Sequence, residues 1–560
     1  MRKVVFVLAH LLYLSAAVAQ NSNYPQGYFR NPLAIPIILA GNFGECRPNH
    51  FHSGMDIKTL GKENQPVYAV AEGYISRIKM ERGGFGHALY ITHPNGYTTL
   101  YAHLNDFMPD VQAYMKREQY KKESWELDIP LSPNQFPVKK GTQIAWSGNT
   151  GASTAPHLHF EIRNTATEHP LNPMLFGFEI KDDIAPIPTQ IAIYNMDKSI
   201  YEQTPIIVAL KKRAGNYVAD TIKTANKNIG VALNVNDYMN GSDNTLTFYT
   251  AGITIDSVEQ GRIRLDDIGY DVTRYLHAYV DYKTRKRTGQ WLQLFFQLKG
   301  NALNDLYAWK GDKGLLNIAD GNVHKLDIDM QDANGNTSNI VAYIQHNQGA
   351  DSTADVCNSF KALQPNKFEH PNVNLQLDAK ALYDDMCFQF SSKADAASLS
   401  DRFQLHLPYV PVHTYFDLRI KPNKAIGFAQ RDKVALIYSD GTDESGKSAI
   451  YEGGWYKASV RNFGNYRLVM DTQPPVIKSL QKQSAVLTKA KRISFTAKDA
   501  ITSVKKFRVT INGQWLCFEQ RGDVFFYNFD EHCPKGKNTM VVTATDENGN
   551  TQTLNYTFTR

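Results

Sequence analysis

The chain has 560 residues, more than one hydrophobic core usually organises, so about three to five domains are expected. Lys+Arg 61 against Asp+Glu 55 leaves a formal charge of +6 with no basic block, which argues against a nucleic-acid partner and is compatible with mild attraction to an anionic polymer. Five cysteines, Cys46, Cys357, Cys387, Cys517 and Cys533, include no Cys-x-x-Cys pair, which argues against a cysteine-based metal site.

The amino terminus reads as an export leader. Arg2 and Lys3 precede an apolar run from Val4 to about Val18, and Ala17-Val18-Ala19 supplies a small-residue site with cleavage expected after Ala19. A membrane anchor needs about 20 apolar residues, and His10, Tyr13 and Ser15 interrupt this stretch. No later segment is apolar enough to span a bilayer, so the mature chain is expected to be exported and soluble, periplasmic or extracellular. Export permits disulfides. Cys517 with Cys533 is expected to bridge neighbouring strands of one small domain, Cys357 with Cys387 is a second candidate pair, and Cys46 is left as a buried or half-exposed free thiol.

From about Asn31 to Met174 the sequence is dense in short β-type runs punctuated by glycine, and a first domain is assigned to residues 20–181. Its clearest unit is a hairpin, Ala88 to His93 and Tyr97 to His103, joined through an Asn95-Gly96 turn. Pro109 to Trp125 is charged and free of internal Pro or Gly, as in a surface helix; Pro130, Pro133 and Pro137 then break it. Residues 105–136 are therefore read as an insertion, either a lid or a passive surface excursion.

Beyond Asp182 a pattern repeats. A period-2 strand runs into Asp332-Ala333-Asn334-Gly335-Asn336 and another into Asp546-Glu547-Asn548-Gly549-Asn550, and each turn is followed by a further strand. The entry segments Asp183-Ile184-Ala185-Pro186 and Asp471-Thr472-Gln473-Pro474 echo each other and resemble the openings of immunoglobulin-like modules in exported bacterial proteins. Immunoglobulin-like β-modules are assigned to 182–350 and 471–560, with a β-domain of unassigned type at 351–470. None carries a cluster of titratable residues, so binding or spacing is their default role.

The chemistry concentrates in two motifs, His52-Ser53-Gly54-Met55-Asp56 and Pro156-His157-Leu158-His159-Phe160-Glu161-Ile162. Imidazole and carboxylate are the usual ligands of a catalytic Zn²⁺, which takes three protein groups and leaves a position for water. With strand periodicity, His157, His159 and Glu161 share one face and Leu158, Phe160 and Ile162 face the core. One histidine is then a ligand and the other free to move a proton. His50 forms its own His-x-His with His52 but lacks the carboxylate spacing, and His87 and His93 beside the hairpin read as satisfied or solvent-facing. For Glu161 a hydrogen bond to a histidine and an outward salt bridge are both open. For Arg47 the alternatives are contact with a substrate carboxylate or surface solubility.

These motifs, together with Tyr101-Ala102-His103 and the run from Ser147 to Glu161, resemble the lysostaphin-type, LytM-like zinc endopeptidases over about Asn42 to Arg163, in the family's order. Ala155 departs from the family's usual glycine, and the stretch after His103 exceeds the family minimum. The resemblance implies a mainly β chain, a LytM-like domain followed by several β-sandwich modules. It also implies one Zn²⁺ on His52, Asp56 and His159, with His103 and His157 as the catalytic pair. No His-Glu-x-x-His helix is present to supply a glutamate base, so a histidine near pKa 6.5 is expected to take the proton from a zinc-activated water. The expected substrate is the peptide cross-link of bacterial peptidoglycan, with a bond between D-Ala and a diamino acid favoured. The alternatives are a zinc-free activator of another wall hydrolase, and an adhesin or envelope-assembly factor built on the β-modules.

Overall fold

The computed structural model describes residues 24–347 and 357–560, so the leader expected over residues 1–19 lies outside the described residues. The chain is mainly β. The first domain runs β1 Leu39–Gly41, β2 Met55–Lys58, β3 Pro66–Tyr68, β4 Gly73–Met80, β5 His87–Thr92, β6 Tyr97–Ala102, β7 Leu104–Phe107, α1 Pro109–Lys122, β8 Leu127–Pro130, β9 Pro137–Val138, β10 Gln143–Ser147, β11 His157–Asn164 and β12 Pro170–Leu171. Its large sheet has the order β1-β2-β11-β6-β5-β4-β8, with β12 on β11 and β9 on β4, and faces a small sheet β3-β10-β7. Ile57, Leu89, Ile91, Leu158, Phe160 and Ile162 from the large sheet pack against Val67, Leu104, Phe107 and Ile144 from the small one. Phe160 is fully buried in this core, and cutting it to alanine would cost about 3–5 kcal/mol.

The expected hairpin is β5 and β6, paired from Leu89↔Tyr101 to Thr92↔Thr98. Gly96 at its turn has φ +84°, the left-handed region that glycine enters without steric cost. The expected helix is α1, started by Pro109 and ended at Glu123 in a left-handed conformation. The stretch around it differs from an excursion. β7 pairs with β10 and β8 pairs with β4, so both flanks of α1 are sheet members and Val111 and Met115 of the helix are buried in the domain.

The remaining described residues form paired sheets: one of six strands and one of eight between Ile187 and His346, two of five between Asn366 and Met470, and one of four and one of five between Val476 and Thr559, with a small two-stranded sheet of Ser359–Phe360 and Met386–Cys387 beside the middle pair. The first two pairs share a continuous apolar core, whereas the last encloses its own. Both Asp-x-Asn-Gly-Asn turns close hairpins, Gln331↔Thr337 and Thr545↔Thr551, and in each the second Asn donates its side-chain amide to the leading Asp. No helix among the described residues is long and apolar enough to cross a membrane.

Cysteine pairing corrects one expectation. Cys357 and Cys387 form a disulfide, while Cys517 and Cys533 are both free. Strand Glu519–Arg521 pairs with Val524–Asn528, which places neither cysteine on facing positions. Cys533 is instead buried in the core of the last module, and Cys517 lines a cleft facing α1. Cys46 is a half-buried free thiol.

Candidate metal centre

Strand register brings the two motifs together. β2 lies against β11 with Asp56 opposite His159, and β6 lies on the other side with Ala102 opposite His159, so His103 follows directly past the strand end. Gly54 is required by close approach: a Cβ there would sit 2.3 Å from the carbonyl oxygen of Phe160. On β11 the expected alternation holds. Leu158, Phe160 and Ile162 are fully buried in the core between the sheets, and His159 and Glu161 occupy the opposite face.

Three electron-rich atoms converge there. His52 donates Nδ1–H to the carbonyl oxygen of Asn42 at 2.8 Å, which leaves its Nε2 lone pair 3.1 Å from Asp56 Oδ1 and 3.0 Å from His159 Nδ1. His159 donates Nε2–H to Glu161 Oε1 at 2.9 Å, so its Nδ1 faces Asp56 Oδ1 at 2.8 Å. Neither imidazole has a second N–H to offer, and all three residues are buried. A proton or a cation must therefore lie among them. Two imidazoles and a carboxylate are a zinc donor set, and a tetrahedral ion with bonds near 2.0 Å has ligand edges of about 3.3 Å, close to the spacing seen.

Electrostatics agree with this assignment. Burial pushes His52 down to about 4, so it is neutral at pH 7. Asp56 is held well below the carboxylate range, because His52, His157 and His159 outweigh the burial that opposes its charge. Burial acts to lower His159 as well, but its hydrogen bonds to Asp56 and Glu161 raise it to about 9 when no cation is present. The proton held there is the one a metal would displace.

His103 and His157 stand beside this cluster, their ring centroids 4.7 Å apart. His103 is fixed at both ends: its backbone N–H donates to the carbonyl of Phe85 at 2.9 Å and its Nδ1–H to that of Thr150 at 2.8 Å. It adopts φ +58°, a conformation that costs a non-glycine residue about 1–3 kcal/mol. Burial, then the neighbouring His159 and His157, push it down to about 3, so Nε2 is left as a free base. His157 donates Nδ1–H to the carbonyl of Ala155 at 2.8 Å, and its Nε2 lies 3.4 Å from Asp56 Oδ1.

The surrounding residues bear on the alternatives left open. Glu161, fully buried, accepts from His159 and Ser53 through Oε1 and from Arg163 Nε through Oε2 at 2.7 Å, so it both orients a histidine and forms an internal ion pair. Arg47 contacts Asp56, its Nη2 2.6 Å from Oδ2, which leaves Oδ1 for the cluster. His50 is exposed and outside the group of three. His93 is satisfied by Glu72 O and Thr99 Oγ1, and His87 is buried with Nδ1 on Asn105 O. Sequence reasoning missed Asn42, Ser53 and Tyr270. Tyr270 comes from the second module and donates its hydroxyl to Glu161 Oε1 at 2.6 Å, and no spacing near the motifs announces it.

Comparison with known proteins adds a family to this geometry. Residues 50–120 and 129–173 match Peptidase family M23, and residues 358–471 match a Zu5-like domain. Lipoprotein NlpD of Yersinia enterocolitica is 34% identical over 103 residues, which are 18% of this chain and 81% of that protein. This chain belongs to peptidase family M23. M23 members are zinc metallopeptidases, in keeping with the donor set at His52, Asp56 and His159. DD-carboxypeptidase/endopeptidase Mpg of Neisseria meningitidis is 36% identical over 123 residues, 22% of each chain. An uncharacterized metalloprotease of Haemophilus influenzae is 30% identical over 168 residues, 28% of this chain. The chain spans 30% of the length of that metalloprotease, so the likeness to it is confined to a part of each protein.

Proposed function

We propose that the chain is an exported zinc-dependent endopeptidase that hydrolyses peptide cross-links of bacterial peptidoglycan. The observation that carries this reading is the convergence of three ligand atoms, of His52, Asp56 and His159, beside two further histidines whose Nδ1 protons are already committed to backbone carbonyls. Zinc bound there would lower the pKa of water to about 7 and polarise the scissile carbonyl. His103 and His157 then have one task each available to them at Nε2: to accept the proton of the attacking water, and to return a proton to the departing amine. The pinning of Nδ1 in both rings fixes which nitrogen does so. Arg47 and Glu161 hold Asp56 and His159 in place.

The names of the relatives and the leader expected over residues 1–19 support this choice of substrate and compartment. A bond between D-Ala and a diamino acid is the favoured target, in line with a relative named for DD-carboxypeptidase/endopeptidase activity. The β-modules would hold the catalytic domain on the wall. Purified mature chain, with zinc, should convert cross-linked muropeptide dimers to monomers, and chelator should stop it; absence of conversion in zinc-loaded protein sinks the proposal.

A second reading is favoured by relatives named murein hydrolase activator, from Salmonella. In that reading the domain binds and switches on another wall hydrolase. The complete set of five polar residues supports the enzyme instead. A chain that holds no zinc and stimulates a separate hydrolase would reverse the choice.

A further inference from the structure

The second module reaches the metal centre at two separate points, one behind each histidine ligand. At the first, Asn42 accepts the Nδ1–H of His52 on its backbone carbonyl, and its side chain is clamped by the backbone of Thr247. Asn42 Nδ2 donates to Thr247 O at 2.8 Å, and Thr247 N donates to Asn42 Oδ1 at 3.0 Å. Asn42 is 5% exposed, so both bonds are shielded from water. At the second, Tyr270 donates to Glu161, the carboxylate that receives the Nε2–H of His159, and also reaches Ser53 Oγ at 3.0 Å. The guanidinium of Arg163 lies 4.7 Å from the Tyr270 ring centroid and donates Nη2 to its hydroxyl at 3.0 Å. The outer part of the Tyr270 ring is open to solvent, but its hydroxyl is not free to leave.

These contacts are anchored by a continuous seam. Asn172 of the first domain donates its backbone N–H to Asp266 O and its side chain to Leu265 O, Ile268 N donates to Pro170 O, and Phe51 N donates to Thr273 Oγ1 at 2.9 Å. Phe43 and Phe51, which flank the first metal motif, are buried in the core of the second module rather than in that of their own domain. A module joined only as a spacer would need none of this.

We infer that the second β-module is a structural part of the metal centre: through Tyr270 on Glu161 and Thr247 on Asn42 it orients both histidine ligands and sets the affinity for zinc. The inference rests on the ligand assignment proposed above. Tyr270 is a positioning residue, acting on His159 through Glu161. Partners behind a metal-ligating histidine fix its tautomer and ring orientation, and losing one typically costs about 10–100-fold in metal affinity. Coupling is reciprocal, so bound zinc should in turn hold the module in place.

The test uses the full mature chain and measures the zinc dissociation constant by competition with a chromophoric chelator. Tyr270→Phe keeps the ring over Arg163 and removes only the hydroxyl; it should weaken zinc about 10-fold while the zinc-free chain still unfolds in one cooperative transition, its thermal midpoint lowered by no more than one lost hydrogen bond implies. Asn42→Ala should weaken zinc comparably, and the double variant about 100-fold, because the two clamps serve different ligands. Zinc affinity within twofold of the parent in both single variants would overturn the inference, as would losses that track loss of fold. A parent that binds no zinc overturns both this inference and the ligand assignment. A parent that binds zinc tightly but cleaves no muropeptide overturns the enzymatic reading alone and leaves the zinc comparison standing.

Discussion

The first domain is touched at its two ends by different modules, and the contacts are of different kinds. At the metal end the second module contributes buried hydrogen bonds, Asn42 with Thr247 and Tyr270 with Glu161, that lie one residue from the ligands. At the α1 end the last module contributes side-chain pairs open to water: Lys116 with Asp530 at 2.7 Å and Glu531 at 2.9 Å, Arg508 with Glu123 at 2.7 Å, and Tyr120 stacked on His532. Partly exposed ion pairs of this sort are worth about 0–1 kcal/mol each and weaken with salt. A buried polar contact that loses its partner costs about 1–3 kcal/mol. The contrast separates an interface that belongs to the site from one that merely limits orientation.

The sharpest way to break that contrast is at the ligands. His159→Ala should abolish zinc binding, measured as metal per chain, while His103→Ala should retain zinc and lose turnover by about 10²–10⁴-fold. Zinc retained by His159→Ala would dissolve the assignment on which the comparison stands. Next in size, Glu161→Gln keeps the shape of the hub that joins Tyr270 to His159 but removes its charge, and should weaken zinc by about 10–100-fold in the chelator assay.

Acid should act on the metal end. His52 and His103 are neutral when folded, at about 4 and 3, against 6.5 in the unfolded chain. Below pH 6.5 the unfolded chain takes up protons that the folded chain refuses, so their contribution is complete above pH 6.5 and is lost as pH falls toward about 4 to 3. In the zinc-free chain His159 works the other way: raised to about 9, it stabilises below pH 6.5 and loses that contribution as pH climbs through 9. Thermal midpoints of the zinc-free chain should therefore decline on both sides, and the alkaline arm should vanish in His159→Ala. The smallest effect is expected at α1. Lys116→Ala should shift stability by no more than about 1 kcal/mol, less in high salt, with zinc affinity unchanged. A zinc effect there would erase the distinction between the two ends.

Much of this was legible beforehand, for reasons that can be named. Period-2 alternation on β11 put His159 and Glu161 on one face because strand geometry permits nothing else. The Asn95-Gly96 turn fixed the β5–β6 hairpin, and so the place of His103. Neither alternative for Arg47 included its pairing with Asp56, because a cation nine residues before that carboxylate has no local signature of the contact. Tyr270 and Thr247 were invisible for a stronger reason. They lie in another module, more than 80 residues beyond β11, and only the docking of two sheets brings them in. The Cys517 with Cys533 pairing failed because short sequence separation does not ensure facing positions, whereas Cys357 and Cys387, 30 residues apart, meet.

That bond has a bearing on the metal centre. A crosslink across 30 residues removes conformations from the unfolded ensemble, worth about 3–4 kcal/mol on the chain-entropy account. This is a large share of the roughly 5–15 kcal/mol that holds a typical domain together. Cys357 and Cys387 sit in the third module, whose apolar core is continuous with that of the second, and the second braces His52 and His159. Oxidation far from the histidines thus steadies the scaffold that grips them, and reducing that one bond would loosen the grip from a distance.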